Sequence, residues 1–303
     1  MKIAMVGLGK MGGNMARRLR RAGIEVVGYN LEDDVTAQLA QECGVIEASS
    51  LQDVVDKLPA PRVVWLMLPA GDPTTTTIQR LEEMLAPGDV LIEGGNSNYH
   101  ESEKNAARLK EKGIYFVDVG ASGGIWGLQN GYGLMMGGED AAIKIIEPII
   151  KVLAPAPDQG WLHCGPSGSG HFTKMIHNGI EYGMMQAYAE GFALMRGKTE
   201  FNLDLAAIAE MWRHGSVIRS WLLDLTTEFL QKDQTLEEIE PFAADSGEGR
   251  WTVSESITQG VPAPVISLAL MMRFASQGKD NFGNKMLSMM RKGFGGHAVK
   301  VGK

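Results

Sequence analysis

The feature that most narrows the fold is an alternation in the first half of the chain. Short apolar runs at residues 3–6, 25–29, 63–68 and 90–92 are separated by amphipathic stretches such as 11–21. Such runs have to be covered on both faces, and helices between consecutive strands supply the cover, so the pattern predicts a parallel sheet wrapped by helices. Further strands are expected at 115–119, 134–136 and 161–163, with helices at 100–112 and 141–153. The alternation stops near Pro166, where Pro155, Pro157 and the GPSGSG stretch at 165–170 make a breaker-rich joint. Long helical patterns then run to about residue 292. The expected domains are a sheet domain, 1–166, and an all-α domain, 167–303. By composition alone, the glycine-rich basic tail at about 291–303 frays.

Directly after the first expected strand, Gly7, Leu8, Gly9, Lys10, Met11 and Gly12 spell G-x-G-x-x-G and open a helix that Gly23 can end. Alone the motif is weak, because the chain has 38 glycines. Between a strand and a helix it directs backbone amides and a helix N-terminus at a pyrophosphate, the mark of a Rossmann-like doubly wound, dinucleotide-binding domain. Where the second strand ends the chain reads Asn30, Leu31, Glu32, Asp33, Asp34. An acidic residue there suits a free ribose hydroxyl, and no arginine awaits a 2′-phosphate, so NAD is expected, with NADP binding more weakly. The same residues could simply solvate a loop. Two more turns fall at strand ends, where open α/β sheets bind ligands: Gly94-Gly95-Asn96 and Gly120-Ala121-Ser122-Gly123-Gly124. Both could be plain turns.

HFTKMIHNGIEYGMMQ, residues 171–186, places Lys174, His177, Asn178, Glu181 and Tyr182 at i, i+3, i+4, i+7 and i+8, one face of a helix. An amine and a carboxylate about 10 Å apart could move protons at two atoms of a small molecule. A solvated helix face would show the same pattern. Gly179 and Gly183 weigh against it, because each costs about 1 kcal/mol mid-helix unless a ligand or another helix comes close.

A net charge of −7 disfavours a nucleic-acid partner, and no apolar run approaches a membrane span, so a cytoplasmic protein is expected. Cys43 and Cys164 lack metal-ligand spacing; buried thiols are expected, and no metal.

In this order and spacing, GLGKMG, GGN, GASGG and HFTKMIHNGIEYGMMQ, followed by GEGRWT at 247–252, MMRFAS and RKGFGGH at 291–297, resemble the decarboxylating 6-phosphogluconate dehydrogenases. The length is similar to the short form of that family, whose helical domain lacks the duplicated half of the long form. The resemblance implies 6-phosphogluconate as substrate, Lys174 as general base, Glu181 as general acid, and His177 with Asn178 orienting the substrate. It further implies that Ser122, Gly123 and Gly124 hold the sugar-acid carboxylate and that Asn96 stands between cofactor and substrate. Tyr182, Thr252 and Arg273 match phosphate ligands, and Arg250 stands where many members have lysine. Arg291 and His297 match tail residues that enter a neighbouring subunit's site, which implies a homodimer or homotetramer. Leu31 replaces the arginine that grips the NADP phosphate in some members; Pro69, after Leu68 at the fourth strand's end, replaces a lysine. Both changes favour NAD.

The implied chemistry is oxidation at carbon 3, in which a neutral Lys174 takes the hydroxyl proton while hydride leaves for the nicotinamide, then loss of carbon dioxide from the β-keto acid, and protonation of carbon 1 by Glu181 to give ribulose 5-phosphate, a step of the pentose phosphate pathway. Two rivals remain on sequence grounds. A non-decarboxylating β-hydroxyacid dehydrogenase of the 3-hydroxyisobutyrate type shares the glycine loop, the SGG turn and the helix lysine. A non-catalytic nucleotide sensor would need only the first domain.

Overall fold

A computed structural model describes residues 1–279, 281–295 and 298–300. The elements run β1 (Lys2–Val6), α1 (Lys10–Arg21), β2 (Glu25–Tyr29), α2 (Asp33–Cys43), β3 (Ile46–Glu47), α3 (Leu51–Asp56), β4 (Val63–Leu66), α4 (Asp72–Glu82), β5 (Val90–Glu93), α5 (Tyr99–Glu111) and β6 (Tyr115–Ser122). After a 3-10 turn come α6 (Gly127–Asn130), β7 (Gly133–Gly138), α7 (Asp140–Leu153) and β8 (Trp161–Gly165). The helices α8 (Ser169–Gly197), α9 (Leu205–Arg213), α10 (Trp221–Lys232), α11 (Glu248–Gln259), α12 (Pro264–Ser276) and α13 (Asn281–Gly295) follow among the described residues.

The strands form one sheet in the order β3-β2-β1-β4-β5-β6-β7-β8. The crossover helices bury apolar side chains on both of its faces. Met15 and Leu19 of α1, Leu39 of α2 and Ile146 and Ile150 of α7 pack on one; Val54 of α3, Ile78 and Leu81 of α4 and Leu109 of α5 pack on the other. That is the doubly wound sheet expected, except that β6 and β7 pair antiparallel. The connection, residues 123–132, holds only a 3-10 turn and the four residues of α6. A parallel return needs a dozen residues or more, so the chain folds straight back. A correction concerns 120–122, read as part of a turn but forming the end of β6, paired with 133–135 of β7. The loop expected after the second strand is also shorter, because Asp33 and Asp34 open α2, where their charges suit the helix N-terminus. Cys43 and Cys164 are free and partly exposed, not buried.

The chain divides into two compact units, Met1–His177 and Asn178–Lys303. Helix α8 starts in the first and continues unbroken into the second. Inside the second unit, one small core joins Leu205, Ala209, Leu223 and Leu230 with Tyr188, Phe192 and Trp212, and another joins Tyr182, Ala269 and Leu270. The part of the tail from 291 to 295 continues α13 as helix; it does not fray there. No described helix is long and apolar enough to cross a membrane.

Candidate active site

The glycine loop is built by close backbone contact. A Cβ at Gly12 would overlap the carbonyl oxygen of Gly7, so the turn from β1 into α1 closes only with glycine there. Gly9, the N-cap of α1, has no side-chain cap and open space beside it. Helix N–H groups facing open space suit a pyrophosphate, so the residues present fit a dinucleotide. Asn30 stitches the loop to β2: its Oδ1 accepts from the Leu8 amide at 3.0 Å. Leu68 packs against Gly7, and the Leu68 carbonyl abuts Gly95, so the glycine loop, the end of β4 and the Gly94-Gly95-Asn96 turn lie together. Leu31 is 90% exposed, and Glu32, Pro69, Lys10 and Asn96 are exposed as well. Met11 packs partly into the core. Ser122 ends β6, and Gly123 and Gly124 follow with φ of 131° and 51°, which β-branched residues could not adopt there.

Lys174 is 6% exposed, and its Cβ and Cγ lie so close to Gly120 of β6 that any Cβ at 120 would overlap them. The helix enters this contact under control of Asp118. One carboxylate oxygen accepts from the Gly168 amide at 2.6 Å and the other from the His171 amide at 2.8 Å, which caps α8 from the neighbouring strand. His177 is half-buried on the same helix, still within the first unit. Asn178, Glu181 and Tyr182 follow within the second unit; Asn178 is buried and Glu181 half-buried, so this face is not a solvated one throughout.

Helices are what the two mid-helix glycines admit. A Cβ at Gly179 would stand 2.7 Å from Thr252 Cγ2 of α11, and one at Gly183 would stand 3.2 Å from Val265 Cγ1 of α12. Thr252 is buried, and its hydroxyl donates to the Glu248 carbonyl at 2.8 Å. The Arg273 guanidinium lies 3.6 Å from the Tyr182 ring centroid, and Gly249 admits the same ring. Tyr182, Thr252 and Arg273 are thus brought together within the second unit. Arg250 stands beside them, already engaged: Asp245 takes its Nε at 2.7 Å and its Nη2 at 3.0 Å, and Phe274 lies under it at 4.4 Å. The guanidinium holds Asp245 below the usual carboxylate range. Sequence reasoning missed this competitor, five residues away in a loop. Arg291 is exposed on α13, and His297 lies outside the described residues. Among the described residues no three His, Cys, Asp or Glu side chains gather as a metal site would require.

Sequence reasoning also missed a buried polar cluster beneath the Gly94-Gly95-Asn96 turn. Its only signal was an acid inside or ending otherwise apolar strands, Glu93 in β5 and Asp118 in β6. Burial pushes Glu93 up to about 7 and the charge of Asp118 adds to this, while hydrogen bonds from Ser97 and Ser102 pull the other way. A carboxyl raised from 4.5 adds stability that is complete below the unfolded pKa and is lost as pH rises through 7. The shift corresponds to roughly 3 kcal/mol. Thermal midpoints of the parent protein should therefore fall by several degrees between pH 5 and pH 8. Glu93→Gln, which cannot ionise, should flatten that fall; parallel pH profiles for parent and variant would contradict it.

Compared with known proteins, residues 2–164 match the profile described as the NAD binding domain of 6-phosphogluconate dehydrogenase, and 170–293 match that of the 6-phosphogluconate dehydrogenase C-terminal domain. The NAD(+)-dependent, decarboxylating 6-phosphogluconate dehydrogenase of Haloferax volcanii is 40% identical over 300 residues, covering 99% of this chain and 98% of the relative. The Bacillus subtilis enzyme of the same description is 37% identical over 290 residues, but this chain spans only 62% of its length. Among solved structures, Plasmodium falciparum 6-phosphogluconate dehydrogenase, studied with NADP+ and with 6-phosphogluconate, superposes with a TM-score of 0.85 at 27% identity, covering all of this chain and 66% of that one. Mycobacterium tuberculosis 3-hydroxyisobutyrate dehydrogenase, at 21% identity and a TM-score of 0.73, covering 92% of this chain and 94% of that one, shares the fold.

Proposed function

Because this chain belongs to the 6-phosphogluconate dehydrogenase family, we propose that it oxidatively decarboxylates 6-phospho-D-gluconate to D-ribulose 5-phosphate with NAD, as a step of the pentose phosphate pathway. The observation that carries the reading is one continuous helix bearing Lys174 and Glu181 two turns apart, with the lysine stem seated on Gly120. NAD would be held by the Gly7–Gly12 loop together with Asn30, Leu31, Glu32, Leu68, Pro69 and Asn96, and would supply the hydride acceptor.

Lys174 as neutral amine takes the proton of the 3-hydroxyl while carbon 3 gives up its hydrogen as hydride, and the resulting β-keto acid loses carbon dioxide. Lys174, then an ammonium, donates to the ketone oxygen as the enediol forms, and Glu181 protonates carbon 1. His177 and Asn178 orient the sugar acid, and Ser122, Gly123 and Gly124 hold its carboxylate. Tyr182, Thr252 and Arg273 take the phosphate. Arg250 joins them once the dianion displaces Asp245, since a guanidinium pairs with phosphate through the same two-pronged geometry. Carbon dioxide release from 6-phosphogluconate with NAD tests the whole reading. Oxidation of small hydroxyacids without carbon dioxide favours the 3-hydroxyisobutyrate type, and neither activity favours a sensor.

Exposed Leu31 offers no cation and Glu32 lies beside it, so kcat/KM should be at least several-fold higher with NAD than with NADP. Leu31→Arg should narrow the gap, because one charge-assisted hydrogen bond of about 1.5 to 3 kcal/mol is worth roughly ten- to a hundredfold. Equal efficiencies in the parent would overturn the preference.

A homodimer or homotetramer in which Arg291 and His297 complete a partner's site follows from the same reading. The helical unit leaves large apolar side chains in water, among them Leu194, Val217, Ile257 and Phe282, each at least 76% exposed, and such surface suits burial by a second copy. Deleting residues 291–303 should raise the apparent substrate constant strongly and leave NAD binding nearly intact. Mixing tail-deleted with Lys174→Met subunits should restore activity that neither shows alone. Mixed oligomers that form and stay inactive remove Arg291 and His297 from the site.

A further inference from the structure

His171 lies one helical turn before Lys174 and has no part in the chemistry above. It is 2% exposed. Its Nδ1 is 2.8 Å from the Ser102 hydroxyl of α5, and that hydroxyl lies 3.5 Å from Glu93 Oε2 at the end of β5. Its Nε2 is buried without a hydrogen-bond partner. Glu93, Ser102 and His171 therefore connect three elements: the strand leading into the Gly94-Gly95-Asn96 turn, the helix after that turn, and the helix carrying the base. Three apolar side chains could fill this space without the cost of burying polar groups, so packing alone does not explain them.

We propose that Glu93, Ser102 and His171 form a proton-sharing chain in which the state of Glu93 sets the tautomer of His171, and that His171 in turn positions Lys174. The inference about Lys174 rests on its role as the base; the tautomer chain does not. When Glu93 is ionised, it accepts the Ser102 hydroxyl hydrogen, Ser102 accepts from His171 Nδ1–H, and Nε2 is bare. When the chain gains one proton from solvent, Nε2 ends protonated, Nδ1 has passed its own proton to Ser102, and the original Ser102 hydrogen has moved to Glu93. The balance is one proton gained, and the imidazole is neutral in both states. Burial supports that neutrality by pushing His171 down to about 4, against the backbone of Gly95 and Val119, which favours protonation. Backbone acceptors of this kind suit an Nε2–H, so the protonated chain draws the first turn of α8 towards the turn that bears Asn96 and fixes how Lys174 and Asn96 stand to each other. Other groups facing the chain are Asp118 of β6, Ser97 of the loop and Glu101 of α5. Asp118 and Glu101 act on Glu93 in the same direction as burial, and Ser97 acts against it.

Long-range ¹⁵N imidazole spectra of the full-length protein decide the matter, with the His171 signals assigned by their loss in His171→Gln. In the parent, His171 should stay neutral from pH 5.5 to 9 and exchange its protonated nitrogen near pH 7. Glu93→Gln and Ser102→Ala should each abolish that pH dependence. A single tautomer throughout, or a transition unaltered in both variants, overturns the chain. For the positioning role, Ser102→Ala should lower kcat about tenfold with both KM values within twofold, and Ser102→Thr, which keeps the hydroxyl, should restore it. An unchanged kcat in Ser102→Ala overturns that role. A parent protein that does not turn over 6-phosphogluconate at all refutes the proposed function instead, and the spectra still judge the chain.

Discussion

Glu181→Gln should lower turnover with 6-phosphogluconate and NAD by about 10² to 10⁴ while the substrate constant changes little. Glutamine keeps the shape and hydrogen-bonding reach of the side chain but has no proton to give, so under the proposed mechanism the loss should fall on the step that protonates carbon 1. Glu181 is half-buried on α8, seven residues beyond Lys174, so the carboxyl can be replaced without opening a core cavity. Single-turnover measurements sharpen the result: hydride transfer to NAD should proceed near the parent rate, and the defect should appear after carbon dioxide leaves. If steady-state activity stays within a few-fold of the parent, Glu181 is a structural residue and the acid lies elsewhere.

Gly120→Ala should damage both stability and turnover. The added Cβ would overlap the Lys174 Cβ and stand 3.0 Å from the Gly170 carbonyl, and neither neighbour is the flexible end of a side chain. Relief requires moving the first turn of α8 away from β6, against the hold of Asp118 on the Gly168 and His171 amides. Overpacking of this sort costs about 1 to 3 kcal/mol, or several degrees in thermal midpoint. Activity should suffer more. A base displaced by about 1 Å can lose on the order of a hundredfold in rate. Calorimetry and kcat measured on the same preparation test this: a variant with parental kcat would show that the Lys174–Gly120 contact does not set the base.

Most of the sheet could be read from the chain because its signals are local. Runs such as VVWL in β4 and VLIE in β5 are buried along their whole length, and the intervening helices carry an apolar stripe, so strand and helix are told apart within a few residues. The antiparallel β7 was missed because direction depends on the length and content of a connection, not on the strand's own residues. Strand β3, two residues long, carries too few side chains to leave a pattern. The end of β6 was read as a turn because Gly120, Ala121 and Ser122 lack β-branched side chains; pairing with β7 makes them strand.

The site divides along the same line. Spacing on a helix is a local property, so Lys174, His177, Asn178, Glu181 and Tyr182 could be placed on one face, and the glycine loop could be placed between a strand and a helix, from the amino-acid order alone. What lies against that face was decided only by the tertiary structure. Gly179 and Gly183 signalled a close approach, but the sequence left a ligand and a helix equally open; Thr252 and Val265 are the neighbours found, more than seventy residues away in the chain. Asp245 opposite Arg250, Gly120 beneath Lys174, and the junction of Glu93, Ser102 and His171 likewise join groups that no period connects. The physical reason is range. Backbone hydrogen bonding and amphipathic period act over a turn or two of chain, whereas burial of a carboxyl or overlap of a methyl depends on atoms that folding brings together from distant segments.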